Sequence, residues 1–134
     1  MPITDYKFEN RVFFAVESGS LNEYDAAEWA RRLAETAQNS PEPIAALVDA
    51  RTAISMSIEA ERIFIKASYT PNLMAVVVIT NPSRMMIATT IKLLGKRDQA
   101  RICSTEEQAK QHIAELFKHV DTTGDSEAGE NTDP

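Results

Sequence analysis

The stretch Ile44-Ala-Ala-Leu-Val-Asp-Ala-Arg-Thr-Ala-Ile-Ser-Met-Ser-Ile58 decides the fold. Its apolar run at 44–48 is typical of a strand that is covered on both faces, and the run stops at Asp49. A hydroxyl-rich loop follows, and then a helical pattern begins. In an open α/β sheet, ligands bind where the carboxyl end of a strand meets the next helix. The candidate site residues at this crossing are Asp49, Arg51, Thr52, Ser55 and Ser57.

The bulk composition fits a single globular domain. The chain has 134 residues, 43% of them apolar and 25% charged, which is enough to bury a core. The net charge of −6 is uneven, because five acidic residues and no Lys or Arg fall at 121–134. Without those five, 15 acidic residues remain against 14 basic ones. A body this close to neutral argues against a nucleic-acid partner, whose binding needs a clustered basic excess.

The sequence favours a cytoplasmic protein. Cys103 is the only cysteine, so no disulfide can form within the chain, and this suits a reducing compartment. The first residues do not show a basic region followed by a long apolar run, which is the pattern of a secretory signal. The longest apolar run, at 73–79, is far too short to cross a bilayer, and we expect no integral membrane segment.

Before the central stretch, the residue patterns predict a hairpin and a helix. The predicted elements are strands at 6–8 and 11–17 and a helix over 22–38. The two strands are too close for a crossover, so they should pair as an antiparallel hairpin that ends at 18–20. Two residue pairs have the spacing of a capping box for the helix, Ser20 with Glu23 and Asn22 with Asp25.

After the central stretch, three helices alternate with two strands. The predicted elements are a helix over 58–69, a strand at 73–79, a helix over 82–94, a strand at 100–103 and a helix that ends at Val120. Ser57 or Ser55 caps the first of these helices, which is expected to bury Ile58. Ser104 and Glu107 have the capping-box spacing for the last one.

The order of elements is therefore β-β-α-β-α-β-α-β-α. This pattern predicts an α/β fold with a mostly parallel five-stranded sheet, an antiparallel first strand and helices packed on the sheet. The predicted domain spans 1–120. The acidic segment 121–134 has no large apolar residue and is predicted to be disordered.

The sequence holds no residue pattern that predicts catalysis, a cofactor or a metal. His112 and His119 lie seven positions apart on one helix, too far to chelate one ion, and Cys103 has no partner cysteine. Four scattered glycines exclude a phosphate-binding loop and a dinucleotide-binding fingerprint. We therefore predict that the protein is not an enzyme and needs no cofactor.

The helix predicted over 82–94 is unusually apolar. Met85 and Met86 lie outside its core face and leave little polar surface. One interpretation is a wide core face. The other is a surface for a protein partner or for a homodimer, where adaptable methionines are common.

The residues after Asp49 also allow two interpretations. An Asp after a strand caps a turn and a serine at a helix start caps the helix, which are structural roles. A phosphate on Thr52, Ser55 or Ser57 would instead add nearly two negative charges next to free helix N–H groups. The second interpretation makes this surface a switch or a partner contact.

Taken in this order, the chain resembles the STAS-like fold of bacterial anti-sigma factor antagonists and of sulfate-transporter tails. The likeness covers about residues 6–120. It rests on the hairpin, the helix from Asn22, Ile44-Ala-Ala-Leu-Val-Asp with the loop and helix after it, the Val-Val-Val-Ile strand, and Arg101-Ile-Cys-Ser-Thr-Glu-Glu-Gln-Ala.

In the antagonists, a partner anti-sigma kinase phosphorylates a serine or threonine at the start of the second helix and so releases the complex. Asp49 matches the acidic residue at the strand end. Ser55 and Ser57, however, each follow an apolar residue rather than an Asp. The local sequence is more similar to that of more distant STAS-like relatives, some of which are suspected of binding apolar ligands.

The resemblance implies a non-catalytic protein-interaction module, regulatory in the manner of the antagonists, whose partner is an anti-sigma kinase-like protein or another regulator. The alternative is a carrier of a small apolar ligand or lipid, with Met56, Phe64 and Met85 lining a cavity.

Overall fold

The computed structural model describes residues 2–81 and 100–131, with side chains through position 119. Its strands are β1 (Ile3–Glu9), β2 (Val12–Leu21), β3 (Ile44–Met56), β4 (Leu73–Ile79) and β5 (Ala100–Cys103). Its helices are α1 (Glu23–Asn39), α2 (Ile58–Ala67) and α3 (Glu106–Asn131). The helix predicted over 82–94, with Met85 and Met86, lies outside the described residues.

The five strands form one sheet in the order β1-β2-β3-β4-β5. β1 runs antiparallel to β2, and the other neighbours are parallel, so the predicted α/β fold is confirmed. The β1–β2 hairpin closes through Asn10 and Arg11, which have φ values of 53° and 66°. Two left-handed residues form the tight turn whose twist matches the flanking strands.

Helices cover both faces of the sheet. On one face, α1 and α2 bury a layer in which Trp29 lies 6.2 Å from the ring of Phe13 and 5.3 Å from that of Phe64. On the other face, α3 packs Ala109, Ile113 and Leu116 against β3, β4 and β5. β4 is the fourth of the five strands rather than the middle one, and it is buried over its whole length, as its continuous apolar run predicts.

Several predicted boundaries are wrong. β1, predicted at 6–8, spans Ile3–Glu9. β2 does not end at Glu17 but continues to Leu21, because Gly19 adopts φ +65° and lets the strand stay paired with β3. β3 continues to Met56, eight residues beyond its predicted end. α2 ends at Ala67 rather than near position 69, because Ser68 and Thr70 bond back to the carbonyls of the last turn.

The caps show which sequence signals operate. Asn22 and Asp25 form the capping box of α1, and Ser57 caps α2, so one predicted alternative is confirmed in each case. At α3 the hydroxyl of Thr105, rather than Ser104, accepts from the N–H of Gln108. The backbone of α3 continues past Val120 to Asn131, and no proline interrupts it.

Candidate partner-binding surface

The segment after Asp49, expected to be a loop, is the second half of a strand. Pairing between β3 and β4 ends at Asp49 and Ile79, whereas pairing between β3 and β2 continues to Met56 and Leu21. Over the described residues, the second half of β3 therefore has a strand neighbour on one side only. This one-sided ribbon replaces the loop as the platform of the candidate site.

Two β-bulges interrupt this half of β3. Between the pairs Val16–Asp49 and Ser18–Thr52, β3 advances three residues while β2 advances two. A second extra residue, Ile54, lies between the pairs formed by Ala53 and Ser55. A bulge redirects the side chains next to it, and bulges are frequent beside functional sites.

The bulges turn polar and apolar side chains outward together. Ala50 and Ala53 are buried under α1 and α2, and the residues between and after them are exposed. Ile54 has 61% of its surface exposed. Ile58, predicted to be buried, is 64% exposed because it opens α2 on the solvent side, so that prediction is wrong. We call the exposed set the β3-end patch; it consists of Arg51, Thr52, Ile54, Ser55 and Ile58.

Asp49 and Arg51 form a bidentate ion pair at the edge of this patch. Arg51 Nε donates to Asp49 Oδ1 at 2.9 Å, and Nη2 donates to Oδ2 at 2.7 Å. The Arg51 N–H also donates to Oδ1 at 3.2 Å. These hydrogen bonds hold the pKa of Asp49 below its usual range, and the carboxylate in turn raises the pKa of Arg51. Asp49 thus fixes the Arg51 guanidinium where the strand leaves the sheet.

Each of the three candidate hydroxyls has a structural partner. Thr52 Oγ1 donates to the carbonyl of Glu17 at 3.3 Å, and the Ser55 and Ser20 hydroxyls are 3.0 Å apart. Ser57 Oγ accepts from the N–H of Ala60 at 3.1 Å as the cap of α2. Thr52 and Ser55 face solvent, whereas Ser57 is half-buried. The structural role expected for the capping serine is therefore confirmed.

Glu17 is an acidic residue in the core that no sequence pattern indicated. It lies on the same buried face of β2 as Phe13 and Ala15, and only 5% of its surface is exposed. Burial raises the pKa of its carboxyl from 4.5 to about 8. Glu17 lies opposite the first bulge of β3, so a neutral carboxylic acid lies directly beneath the β3-end patch.

The remaining candidates for chemistry lie apart from one another. Cys103 is buried, its Sγ is 3.5 Å from the carbonyl of Thr105, and desolvation raises the pKa of the thiol. His112 and His119 lie on α3, two turns apart. Within residues 2–81 and 100–131, no three His, Cys, Asp or Glu side chains come together as metal ligands.

No family profile matches the chain, and no curated protein sequence is similar to it. Two solved structures share its architecture. An uncharacterized DUF3478 protein from Shewanella loihica, with a SpoIIAA-like fold, has a TM-score of 0.64 at 14% identity over 83% of this chain and 93% of its own. An anti-sigma factor antagonist from Mycobacterium paratuberculosis has a TM-score of 0.61 at 16% identity over 84% of this chain and 94% of its own. The chain has the STAS-like fold.

In this STAS-like domain, the structure brings together five of the seven predicted site residues. Asp49 and Arg51 lie at the end of the paired part of β3, and Thr52, Ser55 and Ser57 follow along the bulged half. Met85 and Met86 fall outside the described residues. No helix in the described part of the STAS-like domain combines the length and the apolar character that crossing a bilayer requires.

Proposed function

We propose that this STAS-like domain is a non-catalytic protein-interaction module of the cytoplasm that binds a protein partner through the β3-end patch. The observation that carries the proposal is the exposure of Ile54 and Ile58 in the same short stretch as a fixed arginine and two surface hydroxyls. An isoleucine side chain gains about 1.5–3 kcal/mol when a partner covers it. A few such anchors supply most of the affinity of an interface.

The fold of the two similar structures supports a regulatory role. One of them is an anti-sigma factor antagonist, and the β3-end patch occupies the strand-to-helix crossing where the resemblance places a phosphorylation switch. A phosphate on Thr52 or Ser55 would lie on an exposed surface. One on Ser57 would replace the cap of α2 and bring a dianion to its first turn.

Photo-crosslinking in the cells that produce the protein tests the binding surface. A benzophenone amino acid is placed at position 54 or 58, and at position 115 as the matched control, because Glu115 is also exposed but lies on α3, on the opposite face of the sheet. We expect one dominant crosslinked protein from 54 and 58 and none from 115. The same products from all three positions, or none from 54 and 58, would contradict the proposal.

Mass spectrometry tests the switch separately. The purified domain is incubated with ATP and the crosslinked partner, or with a kinase encoded beside its gene. Phosphate on Thr52, Ser55 or Ser57 and a weakened complex would support a partner of the anti-sigma kinase kind. If no phosphate appears, the switch is withdrawn and binding alone is retained.

A homodimer is the competing occupant of an exposed surface. The segment 82–94, for which the sequence predicts a helix, and the open edge of the sheet are its candidate interfaces, although β1 at that edge carries a bulge between Thr4 and Lys7. Bulges and edge lysines oppose strand addition from a second copy. Light scattering tests this alternative. The mass of a monomer at a protein concentration of about 100 μM would exclude a dimer with a micromolar Kd.

A second candidate function is the binding of a small apolar ligand or lipid. A groove of about 530 Å³ lies between the β1–β2 hairpin and α3; its floor includes Phe14, Leu47, Ile113 and Phe117. Lys7 and Lys110 also line the groove, and each is paired with a carboxylate of the same lining, Glu9 at 3.8 Å and Glu106 at 3.7 Å, so these four side chains add no net charge. The cavity that the sequence predicts around Phe64 does not support this function, because that ring packs against Trp29. Solvent extraction of the purified protein followed by mass spectrometry should recover a bound lipid; an empty extract and no response to added laurate would reject this function.

A further inference from the structure

The outward face of α2 carries a stripe that continues the β3-end patch. Residues four, eight and eleven positions apart share one side of a helix. On this side the exposed residues, which we call the α2 stripe, are Ile58, Arg62, Lys66 and Tyr69 just past the helix end. Three of the five large apolar residues that are exposed in the described chain, Ile54, Ile58 and Tyr69, lie along this line.

The two cations of the α2 stripe are not neutralised. Neither Arg62 nor Lys66 has an ion-pair partner in the described structure. Arg31 on the neighbouring helix shows the contrast, because Glu28 and Glu35 hold it at 2.8 and 2.7 Å. The acidic residues of α2, Glu59 and Glu61, belong to its first turn, where they favour the helix dipole. The later turns of α2 therefore present positive charge.

A groove between α1 and α2 borders the same stripe. It has a volume of about 680 Å³, and Lys66 and Tyr69 form part of its wall. Small or apolar side chains form its floor: Ala27, Ala30, Ile63 and Ala67. Alanines on both helices let another backbone approach closely, and a groove with an apolar floor and charged walls accepts an amphipathic helix.

We infer that the partner binds with an amphipathic helix whose apolar side chains enter the α1–α2 groove and whose carboxylates meet Arg62 and Lys66. The inference rests on the proposed function and adds the chemistry of the partner. Opposite charges across an interface set its specificity and association rate, and a partner helix rich in Asp or Glu is the match for an unpaired basic stripe.

A designed peptide tests this chemistry without knowledge of the natural partner. The probe is an 18-residue helix, roughly five turns, with leucines four and seven positions apart and glutamates beside them. Matched probes carry glutamine or lysine in place of glutamate. Binding is followed by fluorescence anisotropy at 20 mM salt, and amide NMR shifts locate the peptide. The protein variants are Arg62→Glu with Lys66→Glu, and Lys110→Glu as the control on the opposite layer.

We expect the glutamate peptide to bind along α2 and to lose about tenfold in affinity with the double charge reversal, while the lysine peptide gains. The Lys110→Glu variant should bind like the parent. Equal binding of the glutamate and glutamine peptides, NMR shifts outside α1 and α2, or no binding by the glutamate peptide at about 1 mM would each overturn the acidic-helix inference. The crosslinks from positions 54 and 58 do not depend on this result, so the two failures are distinguishable.

Discussion

The two halves of β3 differ in how many strands they pair with and in how far they are buried. The first half, from Ile44 to Asp49, has strands on both sides and helices on both faces, and its apolar residues are buried. The second half, from Ala50 to Met56, pairs with β2 alone and exposes every residue between its buried alanines and after them except the half-buried Met56. One strand thus supplies scaffold and surface in turn, and the change occurs where β4 stops pairing.

The largest effect should come from a cavity in the first half. Ile44 is fully buried, so Ile44→Ala should lower the free energy of unfolding by about 2–5 kcal/mol. Ile54→Ala in the second half should stay within about 0.5 kcal/mol, because that side chain is in solvent. Urea unfolding measures both. Similar losses for the two variants would mean that the halves do not differ as described.

Glu17, beneath the bulged half, should make stability depend on pH. Its pKa of about 8 in the folded protein exceeds the ordinary 4.5, so the unfolded chain loses the proton first. The contribution of Glu17 to the free energy of unfolding is fully present below pH 4.5 and is lost as pH rises through 8. The free energy of unfolding falls by at most about 1.4 kcal/mol per pH unit in this range. Unfolding at pH 6 and pH 8 should show the loss in the parent and a flatter profile in Glu17→Gln. Parallel profiles would place a charged, solvated carboxylate at this position.

The hydroxyls in the second half of β3 and just after it should differ in how much they contribute to the free energy of unfolding. Ser57→Ala removes the cap of α2 and should cost about 1 kcal/mol, whereas Ser57→Asp should retain most of the stability because Asp also caps helices. Ser55→Ala removes only an exposed bond to Ser20 and should cost little. Thermal unfolding of the three variants ranks them, and an equal loss for Ser55→Ala would assign that serine a structural role as well.

The smallest effect should come from the ion pair at the boundary between the halves. The side chain of Arg51 is 43% exposed, so solvent screens its bond to Asp49, and Arg51→Ala should cost less than about 1 kcal/mol. The lowered pKa of Asp49 means that this contribution is present at neutral pH and is lost as pH falls through the folded-state pKa. The midpoint of acid unfolding should therefore lie at a slightly higher pH in the variant than in the parent. A loss above 2 kcal/mol would show that the pair is part of the scaffold.

The sequence predicted the paired part of the sheet because its signals there are regular. The apolar run of β4 and the short strand β5 have the predicted bounds, and Asn22 with Asp25 caps α1 as one alternative required. Such signals depend only on residues close in the chain. They specify the mostly parallel pairing and the antiparallel first strand, whereas the place of β4 in the sheet, fourth rather than central, depends on contacts distant in the chain.

The second half of β3 escaped prediction because its bulges hide the alternation of a strand. The residues that face α1 and α2 are Ala50, Ala53 and Met56, three positions apart, and a spacing of three is typical of helices and loops rather than of strands. The burial of Glu17 had no local signal either, since it depends on the helix that covers β2. The chain position of the patch could be predicted from the sequence, whereas its geometry depends on pairing with residues distant in the chain.

The two bulges of β3 also limit how the length of this segment can vary among related chains. Each bulge adds one residue to β3 relative to β2, and each reverses which side chains face the core. Two of them restore the original phase, so Met56 packs on the same side as Ala50. Losing the extra residue of one bulge would let β3 pair regularly with β2 there and leave Met56 opposite Leu21, so α2 would start at the same place. Loss of a bulge residue should therefore shorten only the outer surface and leave the core intact, and the length here should vary one residue at a time.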